Sequence, residues 1–385
     1  MSVSNQIESS HTAFVLHPGG SFTYEERKVP SLQSDRDVLV RIMATGLCGS
    51  DVHYWKHGRI GPYVVEKPIT LGHEPSGIVV ACGKDVEGVA VGDRVALEPG
   101  IPCNICKKCR SGRYNLCRSM RFAATPPYDG TLTKYYRVPP ESCYKLPSHI
   151  SFRDGCLVEP LSVAVHCSRL AGDMQNKSVV VFGAGPVGLL CGAVARAFGA
   201  TTVAVVDIVE SRLSVAKQYG ATHTYRMSFE PPEVNAQALL KATGLEEGAD
   251  IAVDATGAEP CLNCSIHALA HGGTLVQAGL GKPSVSFPVG QVCDKEIVFK
   301  GCFRYGPGDF DTAIGLLNSR RINLDGLVTH EFSFSSAETA FNNAANRNGI
   351  KSVIYGPDVD ETLARERTEV MGAGIVRTEQ LRPSL

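Results

Sequence analysis

Four cysteines stand at positions 103, 106, 109 and 117, and no other feature of the 385-residue chain restricts its folding as tightly. Two successive CxxC steps followed by a fourth thiol are the spacing with which a loop wraps one tetrahedral zinc. The stretch from Asn104 to Arg113 is too polar for these to be ordinary core cysteines. Four thiolates close a coordination sphere and leave no position for substrate, so Cys103, Cys106, Cys109 and Cys117 are expected to hold a structural zinc. Its loss should destabilise the lobe rather than alter a chemical step.

A second cluster of another kind lies upstream, in Cys48-Gly-Ser50-Asp51 and Gly72-His73-Glu74. With Glu159, these sequences offer Cys48, His73, Glu74 and Glu159 as candidates for a working metal that keeps one position open. Cys48 follows the apolar run from Val38 to Ala44, and His73-Glu74 follows Pro68 to Leu71, so both are expected in turns. Any one of these residues alone is as readily a core or surface group. The combination carries the reading.

The length points to two domains, each large enough for its own core. With 38 basic against 39 acidic side chains and no Lys/Arg run, the chain lacks the footprint of a nucleic-acid binder. Residues Met1 to Ser10 are polar and lack the apolar centre of a signal peptide, and every long apolar stretch is broken by Gly, Asp or Arg. No membrane partner is expected, and fourteen cysteines then imply a reducing, cytoplasmic setting. The ending Pro383-Ser384-Leu385 lacks the basic middle residue of a peroxisomal signal.

From Ala13 to about Val138 short β-branched runs alternate with Gly, Pro and Asp, which predicts an all-β, loop-rich unit. From Ser178 apolar strands alternate with helical stretches: 178–182, 187–198, 202–207 and 210–219. That rhythm predicts a doubly wound parallel sheet with helices on both faces. A boundary is placed where a helix should begin near Pro160 to Val165, giving 1–163 as the first unit and 164–303 as the second. Residues 304–385 are expected to return to the first unit and to finish in a charged peripheral helix or loose tail after Gly356.

Gly183-Ala-Gly185-Pro186-Val187-Gly188 lies directly between an apolar strand and a helix, as a dinucleotide pyrophosphate requires. Asp207 ends the next strand, where a carboxylate accepts both ribose hydroxyls of NAD. It would oppose the extra phosphate of NADP by on the order of 4 kcal/mol at about 4 Å. Arg212, one helical turn on, is a candidate to cover the adenine or pair with Asp207, and equally a solvated helix residue. Ala278, Gly279 and Leu280 end a later strand that reaches the same crevice, whereas Asp254 is read as the cap of a helix.

These motifs resemble the zinc-dependent medium-chain dehydrogenase/reductase superfamily, from about Ala13 to Tyr355. The resemblance rests on Gly72-His73-Glu74-Pro-Ser-Gly77 with Gly83, on the four-cysteine lobe and on the glycine turn. Residues 48–61, Arg121 to Gly130 and Glu159 to His166 are similar to its polyol branch, the sorbitol and xylitol dehydrogenases. That implies a GroES-like catalytic domain joined to a Rossmann domain, with NAD and two zinc ions as cofactors. It implies that Cys48, His73 and Glu74 hold the catalytic zinc, with Glu159 a further ligand or a partner to the bound water, and Cys156 a rival ligand three residues earlier.

The resemblance further implies oxidation of a polyol at a secondary alcohol, xylitol to D-xylulose, with L-arabinitol and sorbitol as alternatives. Zinc would acidify the alcohol and hydride would pass to the nicotinamide. Ser50 would take the proton, or else cap a helix. Tyr54, Arg304 and Tyr305 would contact substrate hydroxyls, and Phe303 would lie beside the nicotinamide. His53 and His57 are read as surface or packing residues rather than relays. The branch implies a homo-oligomer, tetramer or dimer. A reading from another class, a zinc-stabilised NAD sensor without activity, has no evident use for an open metal position.

Overall fold

The sequence of Val38–Leu47, VLVRIMATGL, is apolar at nearly every position, and both faces of that strand are covered. In the computed structural model, which describes residues 7–359, it is a central strand of a seven-stranded sheet. The order is Cys143–Lys145, Arg94–Leu97, Glu74–Cys82, Val38–Leu47, Lys351–Tyr355 and Val328–Phe332, with Tyr135–Val138 also paired to Val38–Leu47. Two of its members come from the far end of the chain, and Lys351–Tyr355 runs antiparallel to Val38–Leu47.

Register in this sheet decides what meets at its edge. Gly46 stands opposite Glu74 and Leu47 opposite Ser352. Cys48, His73, Glu74 and Lys351 are thereby gathered at one end, although Lys351 lies about three hundred positions after Cys48 in sequence. The strand to which Glu74 belongs begins immediately after His73.

The second sheet has six parallel strands in the order His223–Arg226, Thr202–Asp207, Ser178–Phe182, Ala249–Asp254, Leu269–Gln277 and Val298–Gly301. Sequence order reverses between Ser178–Phe182 and Ala249–Asp254, which opens a crevice at the carboxyl ends of those strands, as in a Rossmann fold. The helices Pro186–Ala197 and Glu210–Ala216 follow the first two strands, at the positions the alternation predicts.

One cluster of buried apolar side chains crosses both sheets, from Met43, Ala44 and Ala96 through Leu157, Leu161 and Val165 to Val179, Val181 and Leu189. The helix Val158–Ala171 is its seam, beginning two residues before the expected start at Pro160. Side chains as deeply buried as Leu161 each contribute about 1.5–3 kcal/mol, so the seam is a firm join.

The structure adds a helix to the all-β half. Gly49–His57 has weak amphipathic patterning, and only Asp51 and Tyr54 are buried along it. Its start is fixed locally: the Asp51 carboxylate accepts from the Cys48 backbone N–H at 3.1 Å. It ends at Gly58, whose φ of 67° is readily adopted without a Cβ. No described helix is long and apolar enough to cross a membrane. The charged tail expected after Gly356 runs mostly beyond residue 359, outside the described residues.

Candidate active site

Ligand atoms of Cys48, His73 and Glu74 lie within 4.8 Å of one another. A thiolate, an imidazole and a carboxylate converging at that spacing form the donor set of a zinc site with room for an exogenous ligand. Cys48 caps the helix Gly49–His57 rather than lying in an open turn; His73 occupies the turn before Glu74–Cys82. The Glu74 carboxylate fits because residue 46 is glycine: a Cβ there would fall 2.1 Å from Glu74 Oε2.

The surroundings suit a cation. His73 Nδ1 is 3.3 Å from Asp51 Oδ1, so Nε2 is left to ligate. Asp51 is fully buried and also accepts from the Gly72 and Cys48 backbone N–H groups. Burial acts to lower the His73 pKa, but the Asp51 carboxylate and the Cys48 thiol outweigh it and hold the imidazole well above its usual range. A bound metal would displace that proton. Glu74 Oε2 is paired with the buried Lys351 ammonium, yet accepts no hydrogen bond of normal geometry.

Glu159, in the first turn of Val158–Ala171, is buried but stands outside the three-residue cluster. Burial pushes its carboxyl up to about 7, with Glu74 adding to the rise and His73, Lys351 and the Tyr305 hydroxyl opposing it. That places it next to the ligands and next to Tyr305. The rival Cys156 is wholly buried, its thiol directed to the Arg153 carbonyl at 3.0 Å, and burial pushes that thiol up. It belongs to the core.

Ser50 Oγ lies 3.4 Å from His73 Nε2, on the ligand side of the imidazole. Tyr54, one turn on, is buried, and burial raises its hydroxyl pKa. Arg304 and Tyr305 follow the last parallel strand; the Arg304 guanidinium carbon is 3.5 Å from the centre of the Phe122 ring and 4.7 Å from that of Phe303. Tyr305 is 1% exposed, and its hydroxyl, which makes no hydrogen bond of normal geometry, lies beside the Glu159 carboxylate. Phe303 is 44% exposed. His53 and His57 are exposed, with ring centres 4.5 Å apart.

At the crevice of the parallel sheet, Gly183 has φ of 100° and a Cβ on Gly188 would fall 1.7 Å from the Gly183 carbonyl. Gly185 faces open space, with nothing within 4 Å of the position a Cβ would take, and Pro186 and Val187 open the helix. This is a cradle sized for a pyrophosphate. Asp207 accepts from Ala184 N at 2.7 Å and Val209 N at 2.9 Å, which fixes its carboxylate at the strand end. Arg212 is not paired with Asp207; its guanidinium donates to the carbonyls of Arg347 and Gly349. Asp254 does not cap the helix Glu259–Ala268, whose N-cap is Ala258; its carboxylate accepts from Thr256 N and Gly257 N in the loop before that helix. Ala278 and Gly279 close on the Asp254 carbonyl, and Leu280 beside them is 81% exposed.

The four lobe cysteines also gather within 4.8 Å. Backbone N–H groups of Ile105 and Cys106 lower the Cys103 thiol, whereas burial and the neighbouring thiols raise that of Cys109, so the four share protons until a metal takes their place. All fourteen cysteines are free.

Sequence reasoning assigns no role to Asp51, Lys351 or Phe122. Asp51 was signalled by its place three residues after Cys48. Lys351 is a lone charge heading an apolar strand, which does not reveal its partner, and Phe122 lies in the Arg121–Gly130 stretch without any sign of its contact with Arg304.

Residues 34–148 match the model of the alcohol dehydrogenase GroES-like domain, and residues 186–319 that of the zinc-binding dehydrogenase domain. A probable D-xylulose reductase A of Neosartorya fischeri is 51% identical over 352 residues, covering 90% of this chain and 97% of that protein. The D-xylulose reductase A of Aspergillus niger is 49% identical over 358 residues, 93% of this chain and all of that one. Among solved structures, the L-idonate 5-dehydrogenase of Escherichia coli superposes with a TM-score of 0.82 at 28% identity, covering 90% of this chain and 98% of that chain. With a GroES-like half, a dinucleotide-binding half and two sites whose donors fit zinc, the chain belongs to the zinc-dependent medium-chain dehydrogenase/reductase family, in its polyol dehydrogenase branch.

Proposed function

We propose that the protein oxidises xylitol to D-xylulose with NAD, and reduces the ketose in the reverse direction. The observation that carries this reading is the meeting of Cys48, His73 and Glu74 with Glu159 and Tyr305 at the join of the two sheets. Identity near one half with fungal D-xylulose reductases, across nine-tenths of the chain, supports the choice of substrate.

Cys48, His73 and Glu74 would hold the catalytic zinc, with Glu159 beside it, and zinc there supplies a Lewis acid that acidifies a substrate hydroxyl. Ser50 Oγ receives the proton and passes it towards solvent along the exposed face of its helix. Tyr54, Glu159, Arg304 and Tyr305 bind the remaining hydroxyls and fix which carbon faces the nicotinamide. Phe303 packs beside that ring. Gly183, Gly185 and Gly188 seat the pyrophosphate on the helix amino terminus, and Asp207 takes the ribose hydroxyls and disfavours a 2′-phosphate. Cys103, Cys106, Cys109 and Cys117 would hold the structural zinc. Residues 7–163 with 304–359 would form the catalytic unit, and 164–303 the NAD-binding unit.

Fourteen free cysteines support a reducing, cytoplasmic setting. A homodimer, or a tetramer built from it, is supported by the edge strand Val298–Gly301, where Val298 and Phe299 are 45% and 44% exposed beside Phe287 and Val289 at 42% and 62%.

Initial rates of NADH formation with xylitol, L-arabinitol and sorbitol, each repeated with NADP, test the reading. The highest kcat/KM is expected for xylitol with NAD. A clear preference for L-arabinitol or sorbitol moves the substrate within the branch, and absence of turnover with all three overturns the assignment.

A further inference from the structure

The lobe that carries the four cysteines does more than hold itself together. We propose that Asn115 and Phe122, both within it, are positioning residues for Phe303–Tyr305, so that an intact lobe sets the affinity for the polyol. This rests on the reading that Phe303–Tyr305 line the nicotinamide and substrate.

Asn115 lies in the short turn Tyr114–Leu116, two residues before Cys117, and is 7% exposed. Its Nδ2 donates to the Phe303 carbonyl at 2.9 Å, across 188 positions of sequence. The strand Arg121–Phe122 pairs with Gly100–Ile101, which roots both ends of the cysteine loop. From that root the Phe122 ring carries the Arg304 guanidinium at 3.5 Å and stands 5.8 Å from the His73 ring. One aromatic side chain of the lobe thus lies between a metal-site histidine and a substrate-site arginine.

The segment so held needs holding. Arg304 has φ of 58°, a left-handed conformation that a long side chain adopts only where its surroundings impose it. Phe303 is too exposed to anchor the backbone by its own packing. A third contact lies at the lobe's base: Tyr144 donates to Glu98 at 3.0 Å, and the Tyr114 hydroxyl bonds to the same carboxylate. Both Glu98 and Tyr114 act electrostatically on Tyr305. Asn115 could merely satisfy a buried carbonyl, but then its removal would lower stability without loosening 303–305 or separating KM from kcat.

Asn115→Asp keeps the side-chain volume and removes the donor. In the zinc-loaded, full-length protein, two zinc ions per chain should remain. Amide exchange across 302–306 should quicken about tenfold, and KM for xylitol should rise about tenfold while kcat changes less than about twofold, the scale of one buried hydrogen bond. Phe122→Leu, which keeps the apolar contact and loses the ring face, should raise KM in the same sense, with the double variant less than multiplicative. It also serves as the test if Asn115→Asp does not fold. Unchanged exchange across 302–306 in a folded, zinc-replete variant overturns the proposal. The exchange measurement decides the matter even if no polyol is turned over, so failure of the functional reading is recognised separately.

Discussion

Asp51 has no route to the substrate, yet it orients the histidine that the metal needs and ties down the backbone on both sides of the site. Asp51→Ala should weaken zinc binding at Cys48, His73 and Glu74 by about 10–100-fold in a chelator competition, with the lobe zinc retained. Glu98 gives a prediction in pH. Burial raises its carboxyl from 4.5 to about 7, so folding takes up a proton; the stabilisation is complete below about 4.5 and disappears as pH rises through about 7. Glu98→Gln should therefore flatten the decline of unfolding free energy across that window, measured by urea denaturation at successive pH values. At this scale the sequence is legible where partners are local. Cys103 to Cys117 declare themselves by spacing, whereas Lys351 beside Glu74 and Asn115 beside Phe303 depend on contacts that no local pattern encodes.

Elements were easier to read than contacts, and unevenly so. The parallel sheet announces itself through the alternation of 178–182, 187–198 and 202–207, because buried parallel strands are apolar throughout. Gly49–His57 escaped because its exposed polar face and weak amphipathy look like loop. The glycine turn is the element with the sharpest consequence: a methyl at 188 would collide with the Gly183 carbonyl and pull the helix off the strand. Gly188→Ala should raise the dissociation constant for NADH at least about tenfold, followed by nicotinamide fluorescence, while zinc content is unchanged.

At the scale of the molecule, two features follow from how the sheets are joined. A single core runs through the helix Val158–Ala171, so the two sheets share stability, and the first turn of that helix holds Glu159 buried. The parallel sheet ends at Val298–Gly301 with an exposed apolar edge. Phe299→Asp should halve the particle mass seen by light scattering if that edge joins two copies, and an unchanged mass would place the interface elsewhere.

The account stands on an open metal site at Cys48, His73 and Glu74 that is separate from the cysteine lobe. Its most direct test is Cys48→Ala, assayed together for zinc content and for xylitol-dependent NADH formation. The account predicts one zinc per chain, a folded protein and turnover lowered by at least about a thousandfold, the scale of a lost Lewis acid. A variant that keeps wild-type turnover with a single zinc would contradict it.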